Sequence, residues 1–373
     1  MKGTVTKKRN RWYIVYYTEK KANGRWKQKW EGSWETKKEA ESVLRSRITD
    51  LEESFERKSG SSTLKVYLQN WLDTYCKERL APNTIRGYRV NIEKHIVPYI
   101  GDIRLNQLRP ADIQQLYSKL LVHGLSGTSV RYVHNNLRRA LTVAVRQELI
   151  RRNPADLVEP PVIDHHEAVT LDAEQVRYLL DACKGTEVYL PVMLAVTLGL
   201  RRGESLALQW QDIDWKQHTV TIRHSATFSG GDTQLGSTKT KSSRRTLLLP
   251  TGVYHELETA RTQQDMARKQ FGKSYNPLQL VCCRSDGSPL SSNVLWHGFT
   301  AVLESCDLPH LRFHDLRHTN ATLMLRNAVP AKIVSSMLGH SSIGITMDIY
   351  SHVVTDMQEG AVGVMDNILN PSC

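Results

Sequence analysis

Residues 312–318 read Arg312-Phe313-His314-Asp315-Leu316-Arg317-His318, and the three-residue step from His314 to Arg317 sets an imidazole and a guanidinium on one helical face. An HxxR triplet alone carries little weight. His314 and His318, four residues apart, have the spacing of a helical zinc pair, yet no Glu follows His314 and no cysteine pair lies nearby, so a metal is not expected. Downstream, Leu338-Gly339-His340-Ser341-Ser342 offers a turn with two N-cap hydroxyls, and Tyr350 follows ten residues after His340, near the end of the next short helix. In isolation that tyrosine reads as an ordinary core residue. Upstream, an apolar helix ends at Gly199 within Leu198-Gly199-Leu200-Arg201-Arg202-Gly203-Glu204, where dipole complementation by itself explains the cations. Thr238-Lys239-Thr240-Lys241-Ser242-Ser243-Arg244-Arg245 gathers cations on a hairpin flank, the composition of a solvated or phosphate-contacting loop.

These stretches lie in a mostly helical region, residues 168–373. Within it the alternating run 219–223, the turn signal Gly230-Gly231 and the strand-like run 245–249 together predict a β-hairpin. Residues 153–167 are proline-rich with little periodicity and read as a semi-extended linker. Residues 64–152 are helical by period over 64–79, 82–98, 110–122 and 127–149, with Pro82 and Pro110 placed as helix-opening prolines and Gly101 and Gly124 as breaks. Their scattered arginines suit either a solvated face or contact with DNA. Residues 1–60 alternate around Trp12, Ile14 and Tyr16, turn at Asn23-Gly24, and then become helical, with Thr36 and Glu39 as a capping box and Ala40, Val43, Leu44, Ile48 and Leu51 on one stripe. A three-stranded sheet backed by a helix is predicted there.

The chain has 373 residues with 50 Lys and Arg against 38 Asp and Glu, a formal charge of +12, which makes an extended polyanion a natural partner. Most of the excess sits at the start, where the first 30 residues hold ten Lys or Arg and one acid, Glu19. No apolar run approaches the roughly 18 residues of a spanning helix, and the basic N-terminus lacks the apolar core of a signal peptide. A soluble intracellular protein is expected. Six cysteines without a CxxC pair or disulfide-dense spacing imply reduced thiols and no structural zinc.

Taken together and in this order, Gly-Leu-Arg-x-x-Glu, Lys-Thr-Lys-Ser-Ser-Arg-Arg, His-Asp-Leu-Arg-His, Leu-Gly-His-Ser and a terminal Tyr resemble the tyrosine recombinases, the lambda-type integrase family of phages and conjugative transposons. The resemblance covers residues 64–373, and residues 1–57 look like the arm-binding domain of such integrases. It implies a mainly α fold with small β elements: an arm-type DNA-binding domain at 1–60 with a three-stranded sheet plus helix, an all-helical core-binding (SAM-like) domain at 64–152, a linker at 153–167, and a mixed α/β catalytic domain with a C-terminal tail at 168–373. By the same match Arg201, Lys239, His314, Arg317, His340 and Tyr350 correspond to the catalytic residues, with Lys241 the rival for Lys239. The implied activity is site-specific recombination through a 3′-phosphotyrosine intermediate, integrating and excising a mobile element or prophage without metal, ATP or cofactor. The implied partners are double-stranded DNA at core and arm attachment sites, further copies of the chain as a tetramer on two duplexes, and an excisionase or DNA-bending host factor, with no membrane. The implied location is the bacterial cytoplasm, at the nucleoid.

The residue types suit that chemistry. A phenol of pKa near 10 is only about 0.1% ionised at neutral pH and needs a proton acceptor, for which His314 is the candidate. Arg201 and Arg317 can each donate paired hydrogen bonds to non-bridging phosphate oxygens, with His340 as a further donor and Lys239 as the acid for the departing 5′ oxygen. A type IB topoisomerase shares this logic but rejoins the original strand. A metal-dependent DDE transposase would need more than the acidic pair Asp212 and Asp214, which reads as structural. A non-catalytic DNA-binding regulator would need only the charge and the aromatics. Beyond Tyr350, residues 355–370 place Ala361, Val362, Met365, Ile368 and Leu369 on one stripe, a short helix that needs a groove on its own domain or on a neighbouring protomer.

Overall fold

The computed structural model describes residues 3–20, 26–58, 62–162, 169–229, 232–237, 244–340 and 342–350. The chain divides into two compact units, Met1–His165 and His166–Cys373.

In the first unit, strands β1 (Gly3–Lys8), β2 (Arg11–Lys20) and β3 (Trp26–Trp34) form an antiparallel sheet in sequence order, with Val5 opposite Ile14 and Trp12 opposite Trp34. Helix α1 (Lys37–Lys58) backs it. Thr36 and Glu39 exchange the reciprocal capping bonds at 3.3 and 3.4 Å, and this start aims Ala40 and Leu44 at the buried side of Ile14 and Tyr16. Lys7 and Lys8 lie over the rings of Trp12 and Trp30, at 5.8 and 6.0 Å from their centroids.

A separate core gathers the helical part of this unit. Helix α2 (Leu64–Trp71) runs through a π turn, Leu72–Cys76, into α3 (Lys77–Arg79), and α4 (Pro82–Asn91) runs through a second π turn, Ile92–Ile96, into α5 (Val97–Ile100). Helices α6 (Pro110–Val122) and α7 (Gly127–Arg146) complete it. Pro82 and Pro110 stand in the first turns of α4 and α6, where a missing N–H costs nothing. Leu68, Leu72, Ile96, Ile113, Leu116 and Leu137 fill the centre, and Tyr117 shares a 2.7 Å hydrogen bond with His134 Nδ1.

The second unit is built around α9. Its helices α8 (Ala173–Cys183), α9 (Tyr189–Leu198) and α10 (Arg202–Ala207) precede β4 (Ile213–Asp214), β5 (Thr219–Ile222), β6 (His224–Ser229), β7 (Asp232–Ser237) and β8 (Arg245–Leu248). Then come α11 (Thr251–Phe271), α12 (Ser292–Ser305), α13 (Asp315–Arg326), α14 (Ala331–Leu338) and α15 (Ile343–Tyr350). Helix α9 is apolar all round and buries Val192, Met193, Leu194, Ala195, Val196 and Leu198, as a central helix must.

The strands differ from the single hairpin predicted. β5 and β8 do pair antiparallel, Val220 opposite Leu247, but inside a three-stranded sheet with β4. Between them β6 and β7 form a ribbon of their own, Ala226 opposite Leu235. In the sequence Gly230-Gly231 falls between β6 and β7, so that turn signal belongs to the ribbon and not to a hairpin of β5 with β8. Asp212 caps a turn through the Gln209 N–H at 3.1 Å and pairs with Arg223 at 3.3 Å, while Asp214 accepts from the N–H groups of Lys216 and Gln217, each at 3.0 Å. Among the described residues no helix is long and apolar enough to cross a membrane. The amphipathic stripe from Ala361 to Leu369 lies outside the described residues.

Candidate active site

Helix α9 stops where Gly199 turns left-handed, with φ of 62°. A Cβ at that position would come within 2.2 Å of Leu338 Cδ2, so glycine is required by both conformation and space. The side-chain amide of Asn320 on α13 donates to the carbonyls of Val196 and Thr197, each at 2.9 Å, and pins the end of α9. Two residues past the turn, Arg201 caps α10. Its N–H reaches Glu204 Oε2 at 3.0 Å and its Nη1 reaches Oε1 at 2.7 Å, with Glu204 itself only 3% exposed.

Helix α14 ends in the same manner, at a left-handed Gly339. Carbonyls at a helix C-terminus have no partner within the helix and carry the negative end of its dipole. Here three consecutive ones each receive a guanidinium: Arg245 Nε donates to Met337 O at 2.6 Å, Arg317 Nη2 to Leu338 O at 2.6 Å, and Arg201 Nη2 to Gly339 O at 3.0 Å. Arg317 also donates through Nη1 to the Gly199 carbonyl at 2.7 Å, so both glycine turns meet at this one side chain. Arg245 completes the set by donating through Nη2 to Glu204 Oε2 at 2.9 Å.

The charges do not balance. Around buried Arg317 stand two further guanidiniums, Arg201 and Arg245, and one carboxylate, Glu204, among the described residues. Burial and the neighbouring arginines push Arg317 down to about 9, against the pull of Glu204, although a guanidinium keeps its proton in practice. A buried cationic surplus of this kind is relieved by an anion. Glu204 stays ionised: burial raises its pKa, but the bonds and charges of Arg245 and Arg201 outweigh that and hold it below the usual carboxylate range.

The histidines on the rim are neutral. His314 keeps an exposed edge, yet packing of the rest of its ring, then His318, Arg317 and Arg201, push it down to about 4, and burial with Arg317 and Arg201 does the same to half-buried His340. A neutral imidazole can accept a proton, which an imidazolium cannot. His314 opens α13, its ring 5.1 Å from that of His318 and nearly perpendicular to it. His340 Nδ1 shares a 2.8 Å hydrogen bond with Thr346 Oγ1, and Thr346 is fully buried in α15.

Arg201, His314, Arg317 and His340 therefore converge on one anion-seeking cluster, and Tyr350 closes α15, the helix that Thr346 ties to His340. Lys239 and its rival Lys241 lie outside the described residues. Three further residues join the site: Glu204 and Arg245, which stand in the quoted motifs without an assigned role, and Thr346, which stands in none of them. The Arg201-to-Glu204 spacing of a helix start could have flagged Glu204, and Thr346 stands four residues before Tyr350. Arg245 ends the Lys-Thr-Lys-Ser-Ser-Arg-Arg motif, but nothing in that stretch says which residues it meets.

Comparison with known proteins agrees on the architecture. Residues 169–357 match the phage integrase family, residues 63–121 the N-terminal SAM-like domain of phage integrases, and residues 4–51 an arm DNA-binding domain. A tyrosine recombinase XerC-like protein of Caldanaerobacter subterraneus is 27% identical over 356 residues, covering 89% of this chain and 90% of the relative. The Tn1549 transposon integrase, solved in complex with transposon right end DNA, superposes with a TM-score of 0.68 at 18% identity over 80% of this chain and 99% of that one. A lambda integrase tetramer bound to a Holliday junction does so with a TM-score of 0.58 at 17% identity, over 91% and 95% of the two chains. At those identities the solved structures show a shared fold.

Proposed function

This chain belongs to the phage integrase family and is a tyrosine site-specific recombinase, and from that premise we propose how its residues divide the work. Arg201 and Arg317 hold the non-bridging oxygens of the scissile phosphate. Both are immobilised by main-chain acceptors, so no reorganisation is needed as negative charge builds on phosphorus. His340, oriented by Thr346, donates a further bond from its other ring nitrogen. Neutral His314 takes the phenolic proton as Tyr350 attacks, Lys239 protonates the departing 5′ oxygen, and a 3′-phosphotyrosine remains. A 5′ hydroxyl from a partner strand reverses the step, so strands are exchanged without metal or ATP. The observation that carries this reading is the cationic surplus around Arg317: among the described residues, three guanidiniums facing one carboxylate fit a phosphodiester gaining charge in its transition state.

The rest of the chain follows from its charge and its matches. Residues 1–60 would read arm-type sites, 64–152 would clasp the core site, 153–167 would link them to the catalytic domain, and four copies would act on two duplexes, with an excisionase or bending factor setting direction. Such a protein would work in the bacterial cytoplasm, at the nucleoid. A nicked suicide substrate tests the central claim, since its cleaved end diffuses away and the covalent protein–DNA adduct accumulates. No adduct with any attachment-site DNA would sink it.

A further inference from the structure

We propose that Arg245 is a positioning residue for strand cleavage: by joining Glu204 to the last turn of α14 it holds Arg201 and Arg317 in the geometry that receives the phosphate. The proposal rests on the recombinase reading above. Arg245 is nearly buried, with a side chain 7% exposed, and two of its hydrogen bonds run in different directions. Nη2 meets Glu204 Oε2 at 2.9 Å, and that same oxygen accepts the Arg201 N–H, so Arg245 and Arg201 share one carboxylate. Nε meets Met337 O at 2.6 Å, one residue before the carbonyl that holds Arg317 and two before the one that holds Arg201. The fork therefore bridges α10 and α14, the two elements that carry or anchor both phosphate-binding arginines.

A position on β8 adds to the case. Arg245 opens that strand, opposite Ile222, so its backbone is fixed by the ladder while its side chain crosses to the site. It also lies six residues after Lys239, so one short stretch supplies both the proposed acid and this brace. The spatial partners are far apart in sequence, 41 residues to Glu204 and 92 to Met337, so the motif that ends in Arg245 does not by itself reveal what the side chain joins. Removing the guanidinium would leave a buried carboxylate with one partner fewer and a helix end with a free carbonyl, and Arg201 would lose its fixed reference.

The test uses full-length protein and a suicide core-site duplex, with adduct formation and site binding measured separately across pH. Arg245→Gln should bind the site within about threefold of wild type and form adduct about 100-fold more slowly, the cost of misplacing groups that touch the phosphate. Its pH profile should also move. With Arg245 gone, burial of Glu204 is less well opposed, so its carboxyl titrates higher and activity is lost as pH falls through a higher value than in wild type. A purely structural role would not shift that inflection. If Arg245→Gln does not fold, Arg245→Lys decides, since it keeps a charge for Glu204 but not the fork; a folded Lys variant should cleave about tenfold more slowly. Wild-type cleavage rates and pH dependence in either folded variant would overturn the role of Arg245. Absence of adduct from the wild-type protein would instead overturn the recombinase reading on which it rests.

Discussion

Thr346 Oγ1 and His340 Nδ1 are 2.8 Å apart, and Thr346 stands one helical turn before Tyr350 at the end of α15. The ring that would donate to the phosphate and the helix that ends in the proposed nucleophile are thus fastened by a hydrogen bond. Tyr350→Phe removes one oxygen and no charge, so DNA binding by mobility shift should stay near wild type while the covalent adduct disappears. Adduct persisting in that variant would move the nucleophile to another tyrosine. Thr346→Val should keep binding and slow cleavage by about tenfold, the value of one orienting hydrogen bond.

Arg201→Lys should lower adduct formation about 100-fold or more, because an ammonium cannot span Glu204, the Gly339 carbonyl and a phosphate oxygen together. Near-normal cleavage would pass its role to Arg202.

Gly199→Ala puts a methyl group where the backbone is left-handed and Leu338 is already within 2.2 Å. Chemical denaturation should show a loss of about 1–3 kcal/mol. Cleavage should fall further than folding does, since the Gly199 carbonyl that anchors Arg317 must shift.

Stability should depend on pH in a defined window. His314 and His340 are both held near 4 in the folded protein, below the 6.5 of a free imidazole, so the unfolded chain binds protons first as the solution is acidified. Their contribution is fully present above about 6.5 and is lost progressively toward pH 4. Urea midpoints at pH 7.5 and 5 should show the drop, and the double change His314→Gln with His340→Gln should shrink it. An equal drop in both proteins would place the sensitivity elsewhere.

Deleting residues 1–60 removes 16 Lys and Arg against nine Asp and Glu. Affinity for long attachment-site DNA should fall and its dependence on salt should flatten, while the adduct on a short core site survives. An unchanged salt slope would refute arm binding by this segment.

Much of this is legible in the sequence. The capping box at Thr36, the prolines that open α4 and α6, and the glycine that ends α9 are local signals obeyed locally. Arg201, His314, Arg317 and His340 are reached through the order of their motifs, which resembles the tyrosine recombinases, since each motif alone also fits an ordinary helix end or start. What stayed hidden is non-local. The π turns at Leu72–Cys76 and Ile92–Ile96 keep the apolar residues of an ordinary helix, and the pairing of β5 with β8 reaches across the whole β6–β7 ribbon. The Glu204–Arg245 pair spans separate elements, and no periodicity of one segment reports a partner in another.

The acceptors on α14 are main-chain oxygens, and that sets which heritable changes this region can absorb. No replacement of a side chain deletes a carbonyl, so exposed positions such as Lys332, Ile333 and Ser336 are free to drift in identity. A single inserted or deleted residue is another matter. It turns the end of the helix by about 100° and carries all three carbonyls away from their arginines at once. Descendants of this gene should therefore vary freely in spelling along α14 and hardly at all in length.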